Sequence, residues 1–368
     1  MQIPKKLLPS DGRFGSGPSK VPHQAMEALA TSSVIGTSHR QAPVRALVGS
    51  VREQIRALYS LPDDYEVVLG VGGSTAFFDA ATFGLIRERS QHLAFGEFGA
   101  KFARAAERAP FLGDPTVVTS EPGTHPDAHP EAGIDVYAWA HNETSTGVTA
   151  PVRRVEGGDD GALVIIDGTS AAAGIPLDIT QCDVYFFAPQ KALASDAGIW
   201  FAVMSPAALA RVEEIAASSR WIPAFFDLAA AVDNSRKDQT YNTPPLASLV
   251  WTDLQLRTIH ENGGLAWSVA RCEDSSSRLY GWAEQSSYAT PFVADPGKQS
   301  PTVVTIDLEG VHASAVTAAL RENGIVDIDG YRGLGRNQLR IATFPAIEPD
   351  DVTLLTQCLD YVVEHLDD

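Results

Sequence analysis

Cysteine is scarce in this sequence, and basic residues are outnumbered by acidic ones. The 368 residues include 3 cysteines, 28 lysines and arginines, and 46 aspartates and glutamates, which gives a formal net charge of −18. The cysteines are widely spaced and form no CxxC pair, so we expect neither a disulfide framework nor a metal site, and we expect a cytoplasmic location. The negative charge argues against nucleic acid as a partner, because no basic stripe offsets it.

Long apolar runs are also missing. No stretch of about 18 apolar residues occurs, so we expect no membrane span. The start, MQIPKKLLPSDGRFG (1–15), lacks the apolar region of a secretory signal. A length of 368 residues is long for one compact core, which favours a large domain and a smaller one.

Short apolar runs alternate with helical patterns between residues 60 and 205. The runs predict strands at EVVLG (66–70), HLAFG (92–96), TVVTS (116–120), DVYAWA (135–140), LVIID (163–167), DVYFFA (183–188) and GIWFAVM (198–204). AFFDAATFGLIRERS (76–90) predicts one of the intervening helices. Apolar strands that alternate with helices indicate an α/β fold with a mostly parallel sheet, which binds ligands at the carboxyl ends of its strands.

A second, smaller α/β region follows the helical stretch at 244–264. Strands are predicted at PTVVTIDL (301–308), IVDI (325–328) and LRIATF (339–344), and helices at 311–324 and 350–366. We therefore divide the chain into an N-terminal segment (1–20), a large domain (21–255) and a small C-terminal domain (256–368).

One lysine stands in unusually apolar company. In FFAPQKALASDAG (186–198), Lys191 follows a predicted strand, and Asp167 ends the preceding strand LVIID. A strand-end lysine and a strand-end acid that face one cavity suit pyridoxal phosphate, which offers an aldehyde to the lysine and a basic ring nitrogen to the acid. Desolvation would lower the pKa of Lys191 and help it act as nucleophile and base. An ordinary strand-end ion pair explains the spacing equally well.

A glycine turn and two further side chains extend this hypothesis. LGVGGSTAFFDAA (69–81) predicts a strand, a turn and a helix start, where backbone N–H groups with Ser74 and Thr75 can bind a phosphate. The turn lacks the GK[ST] ending of a nucleotide P-loop, which favours a cofactor phosphate over ATP. Phe98 can stack on a pyridine ring, and Thr144 can donate to its phenolic oxygen. The alternatives are a simple connection, a core aromatic and a turn threonine.

Several motifs together resemble one family. GSGPSKVP (15–22), GTSHR (36–40), GGSTAFFD (72–79), HNETSTG (141–147), IIDGTS (165–170), FAPQK (187–191) and YNTPP (241–245) are similar, in order and along nearly the whole chain, to the phosphoserine aminotransferases, and closest to their actinobacterial branch. The resemblance implies the type I fold of pyridoxal-phosphate enzymes and a homodimer with active sites at the subunit interface. It also implies reversible conversion of 3-phosphohydroxypyruvate and glutamate to O-phosphoserine and 2-oxoglutarate in serine biosynthesis. Members of the family also serve pyridoxine biosynthesis.

The resemblance assigns roles to residues at the matching motif positions. It implies that Lys191 bonds to the cofactor aldehyde, that Asp167 holds the pyridine nitrogen and that Phe98 stacks on the ring. Further cofactor contacts are implied for Ser74, Thr75, Thr144 and Gln190, and, from the other subunit, for Asn242 and Thr243. Substrate contacts are implied for His39, Arg40, for Arg340 at the α-carboxylate, and for Arg332 or Arg336 at the phosphate. The chain departs from many members in having phenylalanine for tryptophan at 98 and tyrosine for histidine at 331.

Three other functions share parts of this pattern. A cysteine desulfurase has the same fold but needs a reactive cysteine on a mobile loop, whereas Cys182 precedes a core strand and Cys272 and Cys358 lie in helical patterns. An alanine–glyoxylate type transaminase differs mainly in lacking a pocket for a distal phosphate, and it stays open. A non-catalytic protein that binds pyridoxal phosphate stays open too, although the presence of both Lys191 and Asp167 argues against it.

Overall fold

The computed structural model describes residues 1–366, in which helices and β-strands alternate. The strands are β1 (Glu66–Val71), β2 (Ser90–Ala94), β3 (Thr116–Thr119), β4 (Val136–Ala140), β5 (Asn142–Glu143), β6 (Val148–Thr149), β7 (Leu163–Asp167), β8 (Val184–Phe187), β9 (Ile199–Met204), β10 (Ala289–Pro291), β11 (Val303–Leu308) and β12 (Gln338–Ala342). The helices are α1 (His23–Ala30), α2 (Ala42–Leu58), α3 (Ser74–Gly84), α4 (Glu97–Glu107), α5 (Pro206–Ala216), α6 (Leu228–Ser235), α7 (Leu246–Glu261), α8 (Gly264–Gln285), α9 (Ala313–Glu322) and α10 (Pro349–His365).

A large twisted sheet lies at the centre, with the strand order β1-β9-β8-β7-β4-β2-β3. Strands β8, β7, β4, β2 and β3 pair in parallel, whereas β9 pairs antiparallel with both β1 and β8. Successive side chains of a strand point to opposite faces, and both faces of this sheet are covered. Val164 and Ile166 pack into the cluster that contains α2 and α7, and Leu163 and Ile165 pack into the cluster that contains α3 to α6. The predicted mostly parallel α/β fold is confirmed.

Two predicted elements have different limits in the structure, and a third predicted element does not form. The helix predicted for 76–90 is α3, which ends at Gly84 because Asp135 accepts hydrogen bonds from the backbone N–H groups of residues 87–89. The strand predicted for 92–96 lies at Ser90–Ala94, and Gly96 instead precedes α4. The strand predicted for 325–328 was wrong: in the described chain this segment makes one isolated bridge, between Val326 and Arg13, and no ladder, and the Val326 N–H donates to the Gly12 carbonyl.

The C-terminal part of the chain builds a small antiparallel sheet. Its strand order is β10-β11-β12, and helices α8, α9 and α10 pack together beside it. The boundary predicted at residue 255 lies inside α7, and the division into domains stays a prediction. Among residues 1–366, none of the helices combines the length and the hydropathy needed to cross a membrane.

The N-terminal segment connects this small sheet with the central one. Near its start, Ser10 donates hydrogen bonds to the Asp351 carboxylate, at 2.6 Å from its backbone N–H and 2.8 Å from its hydroxyl. Phe14 then accepts a hydrogen bond from the Ala342 N–H at 2.9 Å. Farther along, the Ser19 N–H donates to the Gln190 carbonyl at 2.8 Å. The first twenty residues therefore bond both to the C-terminal elements and to the loop that follows β8.

Candidate active site

The carboxyl ends of two neighbouring parallel strands bring Asp167 and Lys191 to one edge of the central sheet. Asp167 is the last residue of β7, and Lys191 follows shortly after the end of β8. In the pairing of these strands, Asp167 lies opposite Phe186. Both side chains line one cavity of about 290 Å³, close to the volume of typical small-molecule sites.

Lys191 is buried, and its amine faces the N-terminal segment. The residue is 7% exposed, and Nζ donates a hydrogen bond to the carbonyl oxygen of Ser16. Burial, aided by the nearby charge of Arg340, lowers the pKa of the amine from 10.5 to about 7. A Cβ atom on Gly17 would lie 2.3 Å from Nζ, so glycine at position 17 is needed to leave room for the lysine.

Asp167 is held in place by a short chain of hydroxyl groups. Its Oδ1 accepts hydrogen bonds from the Thr169 N–H at 2.9 Å and from the Thr169 hydroxyl at 2.5 Å. The Ser74 hydroxyl lies 2.6 Å from the same Thr169 oxygen and, since Thr169 donates to Asp167, Ser74 is the donor. Burial raises the pKa of Asp167 to about 6, against the effect of the Thr169 hydrogen bonds, so the carboxyl is mostly ionised at neutral pH. Within residues 1–366, Oδ2 receives no hydrogen bond, which leaves this oxygen for a ligand.

The glycine turn after β1 forms another part of the cavity wall. Ser74 is the first residue of α3, and Ser74 and Thr75 both line the cavity. Gly73 precedes the helix and receives no capping side chain from the described chain. A Cβ atom on Gly73 would meet nothing within 4 Å, so the space before the free N–H groups is open. A helix start of this kind can bind an anion such as a phosphate.

Phe98, Thr144 and Gln190 line the same cavity. Phe98 lies in the first turn of α4, and its ring centroid is 6.4 Å from that of Tyr331. The Thr144 hydroxyl donates to the hydroxyl of Ser170 at 2.8 Å. The buried Oε1 of Gln190 has no hydrogen-bond partner among the described residues, so it is an acceptor available to a ligand.

Arg340 lies on β12 beside the cavity, although it is not part of the lining. Its Nη1 donates to the Thr144 carbonyl at 3.3 Å, and its guanidinium carbon lies 5.2 Å from the centre of the Tyr331 ring. Burial lowers the pKa of Arg340. Its Nε is buried and unpaired within the part of the chain that the structure describes, so a donor remains free.

The two other candidate arginines have different surroundings. Arg336 forms an ion pair with Asp307, with N–O distances of 3.1 and 2.5 Å, and packs on the ring of Phe292. Arg332 is exposed and belongs to no ion pair among residues 1–366. The structure therefore leaves Arg332, rather than Arg336, available to an anion.

The remaining four candidates lie together but outside the lining of this cavity. Nδ1 of His39 is 3.3 Å from the hydroxyl of Thr243, and Arg40 and Asn242 are exposed beside them. Burial, with a contribution from the charge of Arg40, lowers the pKa of His39. Within one chain, these four residues do not line the cavity that contains Lys191.

Some residues that shape the cavity were missed from the sequence. Thr169 fixes Asp167, Ser170 bonds to Thr144, and the Ser16 carbonyl accepts from Lys191. All three lie in motifs that carry the family resemblance, GSGPSKVP and IIDGTS. The signal was present, but the contacts of Ser170 with Thr144 and of Ser16 with Lys191 join segments that are distant in the sequence.

Comparisons with known proteins identify proteins that this chain is similar to. Residues 125–333 match the family model described as aminotransferase class-V. Over its whole length the chain is 58% identical to a phosphoserine aminotransferase from a Nocardioides species, of which it covers 99%. Its fold is similar to that of a phosphoserine aminotransferase from Cytophaga hutchinsonii, with a TM-score of 0.85, 20% identity, and coverage of 95% of this chain and 99% of the other. It is also similar to that of an alanine–glyoxylate aminotransferase from Nostoc, with a TM-score of 0.80, 18% identity, and coverage of 99% and 98%.

We expect Lys191→Met to stabilise the ligand-free protein in a pH-dependent way. The folded-state pKa of about 7 lies below the ordinary 10.5, so burial of the lysine costs stability. This cost is fully present below pH 7 and disappears as the pH rises above 10.5. The gain in unfolding free energy should therefore be on the order of 5 kcal/mol at low pH and approach zero at high pH. Denaturant titrations of both proteins across this range would measure it.

Lys101→Met is the matched control, because Lys101 is half-exposed on α4. The difference in unfolding free energy between this variant and the unmodified protein should stay nearly constant over the same pH range. An effect of Lys191→Met that stayed constant over the whole range would contradict the lowered pKa.

Proposed function

Since this chain belongs to the class-V aminotransferase family, we propose that it transfers the amino group of glutamate to 3-phosphohydroxypyruvate, giving 2-oxoglutarate and O-phosphoserine. The observation that carries the proposal is the placement of the buried Lys191 and Asp167 in one cavity at the carboxyl edge of the sheet. The reaction is reversible, and in the forward direction it supplies a precursor of serine. The 58% sequence identity with a phosphoserine aminotransferase, over the whole chain, supports this choice of substrate.

Pyridoxal phosphate is the cofactor that the cavity fits. Lys191 would bond to its aldehyde, and Asp167 would accept from its ring nitrogen through the free Oδ2. Phe98 would cover one ring face, and the start of α3, with Ser74 and Thr75, would bind the phosphate. The Thr144 hydroxyl and Gln190 would make further polar contacts. When bound, this cofactor withdraws electrons from the substrate α-carbon, so that a proton can leave it.

Lys191 and Asp167 then have separate tasks. The substrate amino group would replace Lys191 at the aldehyde and so free its amine. Because burial lowers the pKa of this amine, it would be partly uncharged at neutral pH and could take the proton from the substrate α-carbon and pass it on. The ionised Asp167 stabilises the positive charge of a protonated ring nitrogen, and Thr169 and Ser74 keep the carboxylate in the required orientation.

Arginine side chains provide the contacts to the two substrates. Glutamate and 3-phosphohydroxypyruvate both carry an α-carboxylate and a second, distal anion. Arg340 would bind the α-carboxylate with its free Nε, and Arg332 would bind the distal group, since Arg336 is already paired with Asp307. A planar guanidinium can form two parallel hydrogen bonds with either a carboxylate or a phosphate, so one pocket can accept both substrates.

Two copies of the chain would complete the site. His39, Arg40, Asn242 and Thr243 lie away from the Lys191 cavity of their own chain, and in a homodimer they would reach the substrate and cofactor phosphate of the partner. Exposed aromatic residues support such an association: Trp221 is 76% exposed and Phe225 is 48% exposed. Phe225 lies beside the glycine turn, within 4 Å of the position of a Cβ on Gly72, so a subunit that covered this surface would also adjoin the cavity.

An alanine–glyoxylate type transaminase is the second candidate, because the fold is similar to one such enzyme. The free Arg332 favours the phosphorylated substrate over this alternative. A cysteine desulfurase is disfavoured, because Cys182, Cys272 and Cys358 are all buried and burial raises the pKa of each thiol.

Addition of pyridoxal phosphate to the purified protein should produce a visible absorption band that glutamate bleaches. Lys191→Ala should fold, because small residues surround the site, but it should give neither this band nor turnover. Absorption spectra and an assay of 2-oxoglutarate formation would measure both. A band that glutamate leaves unchanged would indicate a non-catalytic binding protein, and full turnover by Lys191→Ala would refute the role of the lysine.

Asp167→Asn should retain the cofactor but slow proton removal from the substrate α-carbon. The amide keeps the shape of the side chain and loses the negative charge, so we expect the single-turnover rate with glutamate to fall by at least about a hundredfold, or ~3 kcal/mol. Thr169→Val, which removes the hydroxyl between Ser74 and Asp167 but keeps the carboxylate and its hydrogen bond from the Thr169 N–H, should have a smaller effect. Unchanged kinetics in Asp167→Asn would show that this residue is only part of a strand-end ion pair.

Arginine variants should separate the two candidate substrates. Arg340→Ala should lower kcat/KM for 3-phosphohydroxypyruvate and for pyruvate alike, because both carry the α-carboxylate. Arg332→Ala should reduce kcat/KM for 3-phosphohydroxypyruvate about tenfold to a hundredfold more than for pyruvate. Arg336→Ala is the control and should change the ratio little. Arg40→Ala, tested in parallel, reports on the contact across the dimer. If no variant alters the ratio, the pocket does not recognise phosphate and the alanine–glyoxylate alternative is favoured.

A further inference from the structure

A buried carboxylate lies between two parts of the cavity wall. Glu143 ends the short strand β5, directly before Thr144, and is 0% exposed. The proposed reaction needs neither a proton nor a charge from this residue. Its side chain is therefore free to act on the structure of the site.

The Glu143 carboxylate binds the first turn of α4. Oε2 accepts hydrogen bonds from the backbone N–H groups of Phe98 at 3.1 Å and Gly99 at 3.0 Å. Oε1 accepts from the N–H of Ser145 at 3.2 Å and from its hydroxyl at 2.7 Å. The Ser145 hydroxyl in turn accepts from the N–H of Glu97 at 3.0 Å. Glu143 and Ser145 together satisfy three consecutive donors at the start of the helix.

These contacts replace a local cap of α4. Gly96 occupies the N-cap position and, having no side chain, provides no capping hydrogen bond. A Cβ atom at this position would lie 2.2 Å from Cγ of Glu143, so the glycine is also what lets the carboxylate approach. A negative charge at a helix start is favourable because it interacts with the helix dipole.

The first turn of α4 carries Phe98, the aromatic wall of the cavity. The residue that follows Glu143 in the chain, Thr144, lines the cavity as well, and its carbonyl accepts from Arg340 at 3.3 Å. Glu143 thus connects the helix that holds the ring with the loop that holds the polar contacts. A change in its hydrogen bonding would alter the position of the ring relative to that loop.

We propose that Glu143 is a positioning residue, whose carboxylate fixes the first turn of α4 and thereby holds the Phe98 ring against the bound cofactor. The proposal rests on the proposed function only in taking pyridoxal phosphate as the group that Phe98 contacts. The hydrogen bonds to α4 are a property of the protein alone and can be tested without any ligand.

A carboxylate is required here because every group around its oxygens is a donor. In a glutamine, one oxygen is replaced by an amide NH₂, which cannot accept from the backbone N–H groups or from Ser145. Glu143→Gln therefore loses at least two hydrogen bonds while the size of the side chain stays the same. Burial raises the pKa of Glu143, and the four donors act in the opposite direction.

The test compares Glu143→Gln with Glu97→Gln in the full-length protein. Glu97 belongs to the same helical turn, but its carboxylate is partly exposed and pairs with Lys101 and Arg104, so this variant is a matched control. Hydrogen exchange of the ligand-free proteins should show the amides of residues 97–99 exchanging at least about tenfold faster in Glu143→Gln and unchanged in the control. If Glu143→Gln fails to fold, Ser145→Ala takes its place, with a smaller effect in the same direction.

A second measurement asks whether the effect on the ligand passes through Phe98. Titration with pyridoxal phosphate, followed by visible absorption, should give a Kd about tenfold to a hundredfold weaker for Glu143→Gln. In a Phe98→Ala background the same change should weaken binding by less than about twofold, since residues that act as a unit are not additive. Equal weakening in both backgrounds, or unchanged exchange of the α4 amides, would overturn the proposal. A wild-type protein that gave no absorption band would refute the proposed function instead, and the exchange result would still decide the role of Glu143.

Discussion

The cost of removing Lys191 and Asp167 from water determines how the rest of the site is built. Both groups are almost completely buried, and burial shifts both pKa values toward neutrality. Their mutual attraction offsets only part of this cost, so each also needs a fixed hydrogen-bond partner. The partners are the Ser16 carbonyl for the lysine and Thr169 for the aspartate. The N-terminal segment and the loop after β7, which are distant in the sequence, must therefore both fold against this cavity.

The same cavity must also attract anions within a strongly acidic protein. A net charge of −18 opposes the approach of a substrate that carries a carboxylate and a phosphate. The electrostatic potential in the cavity must therefore be more positive than that of the protein surface as a whole. The half-buried Arg340 makes the potential beside Lys191 more positive. Because burial keeps water away from it, its charge is screened little. Arg332, which is exposed next to Tyr331, adds a positive charge without an acidic partner among the described residues.

The sequence was most informative where function depends on the ends of strands. The apolar runs before Asp167 and Lys191 predicted that both side chains reach the same edge. The glycine turn before Ser74 was predicted to bind a phosphate, and the structure places Ser74 and Thr75 in the wall of the same cavity. Contacts between distant segments were not predictable: the Ser74 hydroxyl meets Thr169, and the Glu143 carboxylate meets the start of α4, only in the fold. The helix predicted for 76–90 is shorter for a similar reason. The carboxylate of Asp135, which is distant in the sequence, accepts hydrogen bonds from the N–H groups that would have continued the helix.

The docking of the N-terminal segment has a consequence for biosynthesis. Ser10 bonds to Asp351 and Phe14 bonds to Ala342, so the segment that leads to Ser16 has its anchors in α10 and β12, which are translated long after it. A nascent chain can assemble much of the central sheet on the ribosome, but it cannot complete the wall beside Lys191 before β12 and α10 have emerged. Polypeptides released before that point would therefore lack a finished cavity, and the ability to hold a cofactor would mark chains whose synthesis has passed α10.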